Sequence, residues 1–356
     1  MIHSLARFAR VTVLFGGLTA LSLHGAATQA AEQTIYLATA QKNDPAHETS
    51  AVMAAIFKAS LEKASDHTLR VELFPDSQLG GNRELTGLTQ KNVIQSAIVS
   101  VGGIAPFYPP IAVIEMPFAY GSSDTAYAVL DGHFGHTLAD NITQRTGLSV
   151  LGFGEPGGFF VLTNSKRPIH SPQDMQGIRI RSVPGFKVLD AMISGMGGTP
   201  VHISSREEFS ALEEGMVDGD TNPIPIIMTR RYDMVQTYLT LTNHLYVPYV
   251  WVVNASFMAS LSDEQRQAVQ DAARQAIQAG RVKSREIEAS ESGLPALRRR
   301  LNVYDPTPEE QAAFRAAAQP KVAAVIAETL GDEGTSLLAD FLAAIAEVEA
   351  HPSQKP

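Results

Sequence analysis

The stretch from Gly177 to Pro225 constrains the fold most. It reads GIRIRSVPGFKVLDAMISGMGGTPVHISSREEFSALEEGMVDGDTNPIP. Short runs with β alternation are separated by runs with helical spacing. The helix over 187–196 is stopped by Gly197-Gly198, a glycine C-cap, and the helix over 206–214 by Gly215. A chain that switches repeatedly between period 2 and period 3.6 packs helices against a sheet, so the expected class is α/β. Two of the β-like runs end on polar groups. Arg181 closes Ile178-Arg179-Ile180-Arg181, and Asn222 closes the run after Asp218-Gly219-Asp220.

The same alternation runs through the first half of the chain. Strands are expected at 34–40, 68–74, 96–101, 148–153 and 159–163, and helices at 48–64, 82–90 and 123–145. This pattern predicts a largely parallel sheet. A further strand, YVWVVN, is expected at 249–254. Beyond it the chain turns helical. Ser262 and Gln265 form a capping box, and the helix it opens is expected to run to about residue 292, roughly 45 Å at 1.5 Å per residue. That length exceeds one lobe of ordinary size. Thr307-Pro308-Glu309-Glu310 starts another helix, and 319–330 and 335–349 read as further helices. The tail HPSQKP is expected to fray.

The 356 residues suffice for two domains, and 44% apolar content supports a large core. The first thirty residues differ from the rest. Arg7 and Arg10 precede an uncharged apolar run over 11–23, followed by Ala26, Ala27 and Ala30. This is the layout of a secretory signal peptide (residues 1–30) cleaved after Ala30, and the expected location is the periplasm. Removing Arg7 and Arg10 leaves 26 basic against 37 acidic side chains, a net −11. So acidic a surface argues against nucleic-acid binding. There is no cysteine, hence neither a disulfide nor a lipid-bearing thiol. The mature chain is expected to be soluble and not membrane-embedded.

Signals for catalysis are weak. Gly152-Phe-Gly154-Glu-Pro-Gly157 matches G-x-G-x-x-G, but Pro156 interrupts it and a strand-like run follows where a dinucleotide site needs a helix. His133 and His136 in HFGH have no third metal-ligand type clustered beside them, and Gly132 and Gly135 suggest a surface turn. The pairs Glu207-Glu208 and Glu213-Glu214 read as solvated helix faces, as does Arg298-Arg299-Arg300. No cofactor and no metal are expected, and the lack of such motifs counts against an enzyme without excluding one, because acid–base sites need no local signature.

A guanidinium fork holds a carboxylate through two charge-assisted hydrogen bonds. Arg179 and Arg181 share parity on a strand, and Arg181, nearer its C-terminal end, is better placed for a ligand. Pro223 holds Asn222 extended, leaving its amide one donor and one acceptor role toward a ligand. Phe118, Tyr120, Phe159, Phe160, Tyr249 and Trp251 gather near the expected lobe junctions and fit the walls of a small-molecule pocket.

Several separated pieces carry a family resemblance. They are SQLGGNREL at 77–85, IEMPFAYGSSDTAYAVLDG at 114–132, LTNSKRPIHSPQDMQGIRIRSVP at 162–184, GGTPVHISSREEFSALEEGMVDGDTNPI at 197–224, TNHLY at 242–246 and LSDEQRQAVQDAA at 261–273. The chain resembles the solute-binding proteins of the tripartite ATP-independent periplasmic (TRAP) transporters, DctP type. The resemblance implies an α/β, two-lobed periplasmic binding protein fold closing on its ligand, with a long helix spanning both lobes. Lobe one is expected from 32–153 plus 246–285, and lobe two from 154–245 plus 286–350. It implies ligand contacts at Arg181, Asn222 and Ser100, a small organic acid as ligand and the TRAP permease membrane subunits as partner. Many relatives carry a second arginine where this chain has Phe160, so one carboxylate on an apolar or hydroxylated body is expected. Glu155 in the same turn could take hydrogen bonds from ligand hydroxyls or an ammonium group, with Tyr249 and Trp251 on the facing lobe. Two other readings are presentation of the ligand to a sensor kinase and a periplasmic enzyme acting on an acid.

Overall fold

The computed structural model describes residues 32–351. The expected signal peptide, with its cleavage after Ala30, and the tail 352–356 lie outside the described residues.

The chain lays down four strands of one sheet: β1 (Gln33–Thr39), β2 (Leu69–Phe74), β3 (Ser96–Ser100) and β4 (Leu148–Gly154). It then crosses to a second sheet for β5 (Phe160–Asn164), β6 (Arg179–Ser182), β7 (Thr199–His202), β8 (Gly219–Pro223) and β9 (Tyr238–Leu245). It returns to the first sheet for β10 (Tyr249–Asn254) and ends its strands in the second with β11 (Asn302–Tyr304). The first sheet has the order β2-β1-β3-β10-β4, the second β11-β9-β5-β8-β6-β7. The fold is therefore α/β and two-lobed.

Both sheets are mixed, which corrects the expectation of a largely parallel sheet. β10 is antiparallel to β3 and β4, and β5 is antiparallel to β8 and β9. The reason is the crossover. A strand arriving from the other lobe enters at the end where its neighbours finish, so it runs back against them. β7, β9 and β11 were not foreseen. The runs TPVH and NVY are short, and TNHL at the end of YLTLTNHL enters the sequence reading only within the motif TNHLY.

β10 is buried on both faces. Tyr249, Trp251 and Val253 point into a core with Phe57, Leu61, Val269 and Ala273. Val250 and Val252 point into a second core with Leu85, Ile104 and Leu138. The long helix spans Asp263–Ala289, 27 residues, with the expected Ser262–Gln265 capping box. It lies on the helix Thr49–Ala64 of lobe one and reaches the helix Ile224–Thr229 of lobe two. It ends three residues short of the expected 292.

Two helical expectations need correction. The stretch 123–145 is two helices, Ser123–Asp131 and His133–Thr146, broken at Gly132. HFGH is thus the first turn of a helix and not a surface turn. Gly135 is required there, because a Cβ would meet the Leu130 carbonyl oxygen at 1.8 Å. The C-terminal run Pro308–Ala350 is two helices separated at Gly331, whose backbone is not helical (φ 61°, ψ −146°); the break expected between 330 and 335 is present, but the helix opened at Thr307 continues without interruption through 319–330. This run packs against lobe two through the helix Lys187–Gly195 and against lobe one through Pro109–Glu115 and Ser123–Asp131. Among the described residues no helix is long and apolar enough to cross a membrane.

Candidate functional site

Arg181 and Asn222 are the penultimate residues of β6 and β8, adjacent parallel strands of lobe two. Their C-terminal ends point toward the crossover between the lobes: a Cβ on Gly157 of that crossover would meet the Pro225 ring at 3.2 Å. Arg181 is only 5% exposed. Its Nε donates to the Ile203 carbonyl (2.9 Å) and Nη2 to Ser205 Oγ (2.9 Å), and Nη1 lies 3.3 Å from Glu208 Oε1. A guanidinium has five N–H donors, so two stay unclaimed among the described residues. Asn222 Nδ2 donates to the same Glu208 Oε1 (3.1 Å) and to Asp220 Oδ2 (2.6 Å).

Glu208 is 2% exposed, and burial, reinforced by the Asp220 charge and opposed by Arg181, pushes its carboxyl up to about 9. Raised that far, the Glu208 carboxyl keeps its proton at neutral pH and leaves the Arg181 charge less than fully compensated. Among the described residues Asp220 Oδ1 is sealed from solvent with no hydrogen-bond partner. Ser182 Oγ and Thr221 Oγ1 are likewise unpartnered there, but side chains alternate along a strand, so they lie on the opposite face of the sheet from Arg181 and Asn222.

Glu208 corrects the reading of Glu207-Glu208 as a solvated pair. Successive helical residues are about 100° apart, so one of two can turn inward. Glu208 shares the inward face of the helix Glu208–Glu213 with Ala211 and Leu212, at i+3 and i+4. That spacing was the signal in the sequence. Arg179 has the bland role. Its Nε and Nη2 grip Asp218 at 3.0 and 2.8 Å, and this holds the Asp218 carboxyl down to about 2.

The two crossovers are tied together at Glu155, which is fully buried. Tyr127 and Tyr246 donate their hydroxyls to Oε2 (2.5 and 3.1 Å), and the Gly157 and Gly158 N–H groups donate to Oε1 (2.8 and 2.6 Å). Gly157 and Gly158 have φ of 122° and 94°, a backbone region favouring glycine, which lets both N–H groups turn to one oxygen. Arg281 of the long helix stacks over the Tyr127 ring at 4.2 Å and pairs with Asp131 at 2.6 Å.

The model of the bacterial extracellular solute-binding proteins, family 7 (DctP), matches residues 39–329. The chain belongs to that family. A solute-binding protein of Verminephrobacter eiseniae is 32% identical over 297 residues, 83% of this chain and 85% of the relative. A TRAP periplasmic solute-binding protein of Ochrobactrum anthropi, with its C-terminus bound in the ligand-binding pocket, superposes with a TM-score of 0.83 at 28% identity, covering 91% and 98% of the two chains. One from Polaromonas sp. JS666, bound to D-erythronate, gives 0.77 at 29% identity, covering 88% and 99%.

Within this family-7 chain, the remaining expected residues separate into two groups. Ser100 ends β3 half-buried, with its N–H on Asn82 Oδ1 (3.2 Å), directly opposite Tyr249 in the β3–β10 register. The Tyr249 hydroxyl faces Gln41, Ser50 and Glu48. Phe160 is half-buried at the start of β5, opposite Pro223 and Leu245. Trp251, by contrast, is fully buried against Phe57 and donates Nε1–H to Ser96 Oγ (3.0 Å). Two residues along β10 from Tyr249, it keeps the same face but sits one layer deeper in the core. Trp251 and Glu155 thus have their polar groups fully engaged within the chain, whereas Arg181 is engaged only in part.

Proposed function

We propose that the protein captures a small organic monocarboxylate in the periplasm and delivers it to the membrane subunits of a TRAP permease. The observation that carries this reading is Arg181: a buried guanidinium with two unclaimed N–H donors, beside Asn222, at strand ends turned toward the lobe junction. Such a fork suits one carboxylate. Phe160, where the family resemblance implies a second arginine in many relatives, favours a single carboxylate over two. The Polaromonas relative bound to D-erythronate, a hydroxylated monocarboxylate, supports the same class. Lobe closure would follow as a population shift, because a ligand touching both lobes favours the closed form.

Isothermal titration of the purified protein with D-erythronate, galactonate, pantoate and succinate tests the reading. One or more monocarboxylates should bind more tightly than succinate, and Arg181→Ala should abolish that binding. Preference for succinate, or undiminished binding by Arg181→Ala, would refute it.

A further inference from the structure

Glu48 stands immediately before the helix Thr49–Ala64, on lobe one, and is 6% exposed. Its side chain caps nothing: the helix has no side-chain cap hydrogen bond. Among the described residues its carboxyl makes no hydrogen bond and no ion pair. The charges that face it stand off at longer range: Arg230 across the lobe junction, and Asp44, Lys42 and His47 from its own loop. The Tyr249 hydroxyl faces it from β10. Its oxygens are not among the sealed side-chain atoms, so a largely buried acid keeps its carboxyl accessible to a polar partner where a chain selected only for stability would carry an apolar residue or an amide.

Its surroundings tie it to the ligand site. Thr49, the next residue, is fastened through its hydroxyl to the Glu155 carbonyl (2.5 Å), so Glu48 is fixed at the rim of the crossover. Arg230 lies just past the helix that follows Asn222, so the segment after the Asn222 strand brings a cation toward Glu48 from lobe two. Glu48 therefore lies on the lobe-one side of the same junction, beside Tyr249 and at the Ser100 end of the sheet.

We propose that Glu48 is a specificity-determining residue of this chain, its carboxylate accepting hydrogen bonds from the hydroxyl groups of a polyhydroxylated monocarboxylate whose own carboxylate lies on Arg181. The proposal rests on the function proposed above and names the substrate class more narrowly. A hydroxyl suits the position better than an ammonium, because Arg230, Lys42 and His47 outnumber Asp44 around it. Burial pushes the Glu48 carboxyl up to about 7, against the pull of Arg230, so ionising it to accept hydroxyls releases a proton near neutrality. Affinity for such an acid should rise as pH goes from 6 to 8.

The test compares wild type, Glu48→Gln, Glu48→Ala and Arg181→Ala by calorimetry at pH 6 and 8. The probes are D-erythronate, butyrate (the same four carbons without hydroxyls) and γ-aminobutyrate. Wild type should prefer D-erythronate to butyrate. Both Glu48 variants should lose roughly 10- to 100-fold toward D-erythronate and leave butyrate unchanged, in keeping with loss of charge-assisted hydrogen bonds. Their melting temperatures at pH 8 should equal or exceed that of wild type, which separates lost recognition from misfolding. If Arg181→Ala abolishes binding while the Glu48 variants keep wild-type affinity, the Glu48 assignment falls and the proposed function stands. If γ-aminobutyrate is preferred and its advantage needs Glu48, the group read is an ammonium and the hydroxyl assignment falls. If wild type binds none of the three probes and Arg181→Ala changes nothing toward the wider set of acids, both fall together.

Discussion

Two buried glutamates, Glu155 at the crossover and Glu48 a short way along the same rim, have nearly equal exposure and opposite environments. Glu155 receives four hydrogen bonds, two from tyrosines and two from backbone N–H groups. Glu48 receives none. A saturated acid fixes geometry, and here it binds one crossover strand end to Tyr246 of the other. An unsaturated acid stores a cost that a ligand can relieve. The lobe-two site lies between these extremes: Arg181 is three-fifths satisfied, and Glu208 shares its oxygen between Arg181 and Asn222.

The largest effect expected from breaking this contrast is on binding. Arg181→Ala should weaken capture of the cognate acid by about 3 kcal/mol, at least a hundredfold, because a buried ligand carboxylate would lose its counter-charge. Calorimetry reads it directly. Next comes the saturated acid. Glu155→Ala should lower stability by about 3 kcal/mol in urea unfolding, since it strands two tyrosine hydroxyls and two N–H groups. Glu155→Gln, which keeps one acceptor, should cost less.

Glu48→Gln should move the other way and raise stability at pH 8 by about 1–3 kcal/mol, seen as a higher melting temperature. A fall would mean that Glu48 has a partner the structure does not reveal, and the contrast with Glu155 would fail. The pH profile sharpens the same point. Glu48 and Glu208 both have carboxyls raised above their unfolded value of 4.5, to about 7 and about 9. The folded state then holds protons that the unfolded chain releases, so their contribution is fully present below about 4.5 and is lost as pH rises through 7 and 9. Thermal melts from pH 5 to 9 should decline, and Glu208→Gln should flatten the upper part of the decline. The smallest effect is at Arg179. Arg179→Ala should slightly lower the melting temperature at pH 7 and shrink the loss between pH 4 and 2. The depressed Asp218 carboxyl gives stability that is present above 3.8 and lost as pH falls through about 2.

Much of this was legible in the residues. The capping box at Ser262, the strand YVWVVN and the β-helix alternation over 177–225 each rest on local spacing, and each is present in the structure. Arg181 was legible because a strand end fixes where a side chain can go. Glu208 was legible in principle from its i+3 and i+4 neighbours, but two adjacent glutamates read more simply as a solvated face. Glu48 had no local signal at all. Its oddness is the lack of a partner, and that is a property of everything folded around it.

By itself the sequence determined the element types, the glycine positions where backbone comes close, the long helix and the placing of Arg181 near a strand end. Those follow from side-chain period and backbone sterics, which act over a few residues. The tertiary structure decided strand direction, since β10 and β5 run according to which lobe the chain arrives from. It also decided which acids are satisfied. Glu155 and Glu48 are the same residue type, and only the packing of Tyr127, Tyr246, Gly157 and Gly158 around one of them makes it a structural anchor, while among the described residues the other carboxyl has no hydrogen-bond partner.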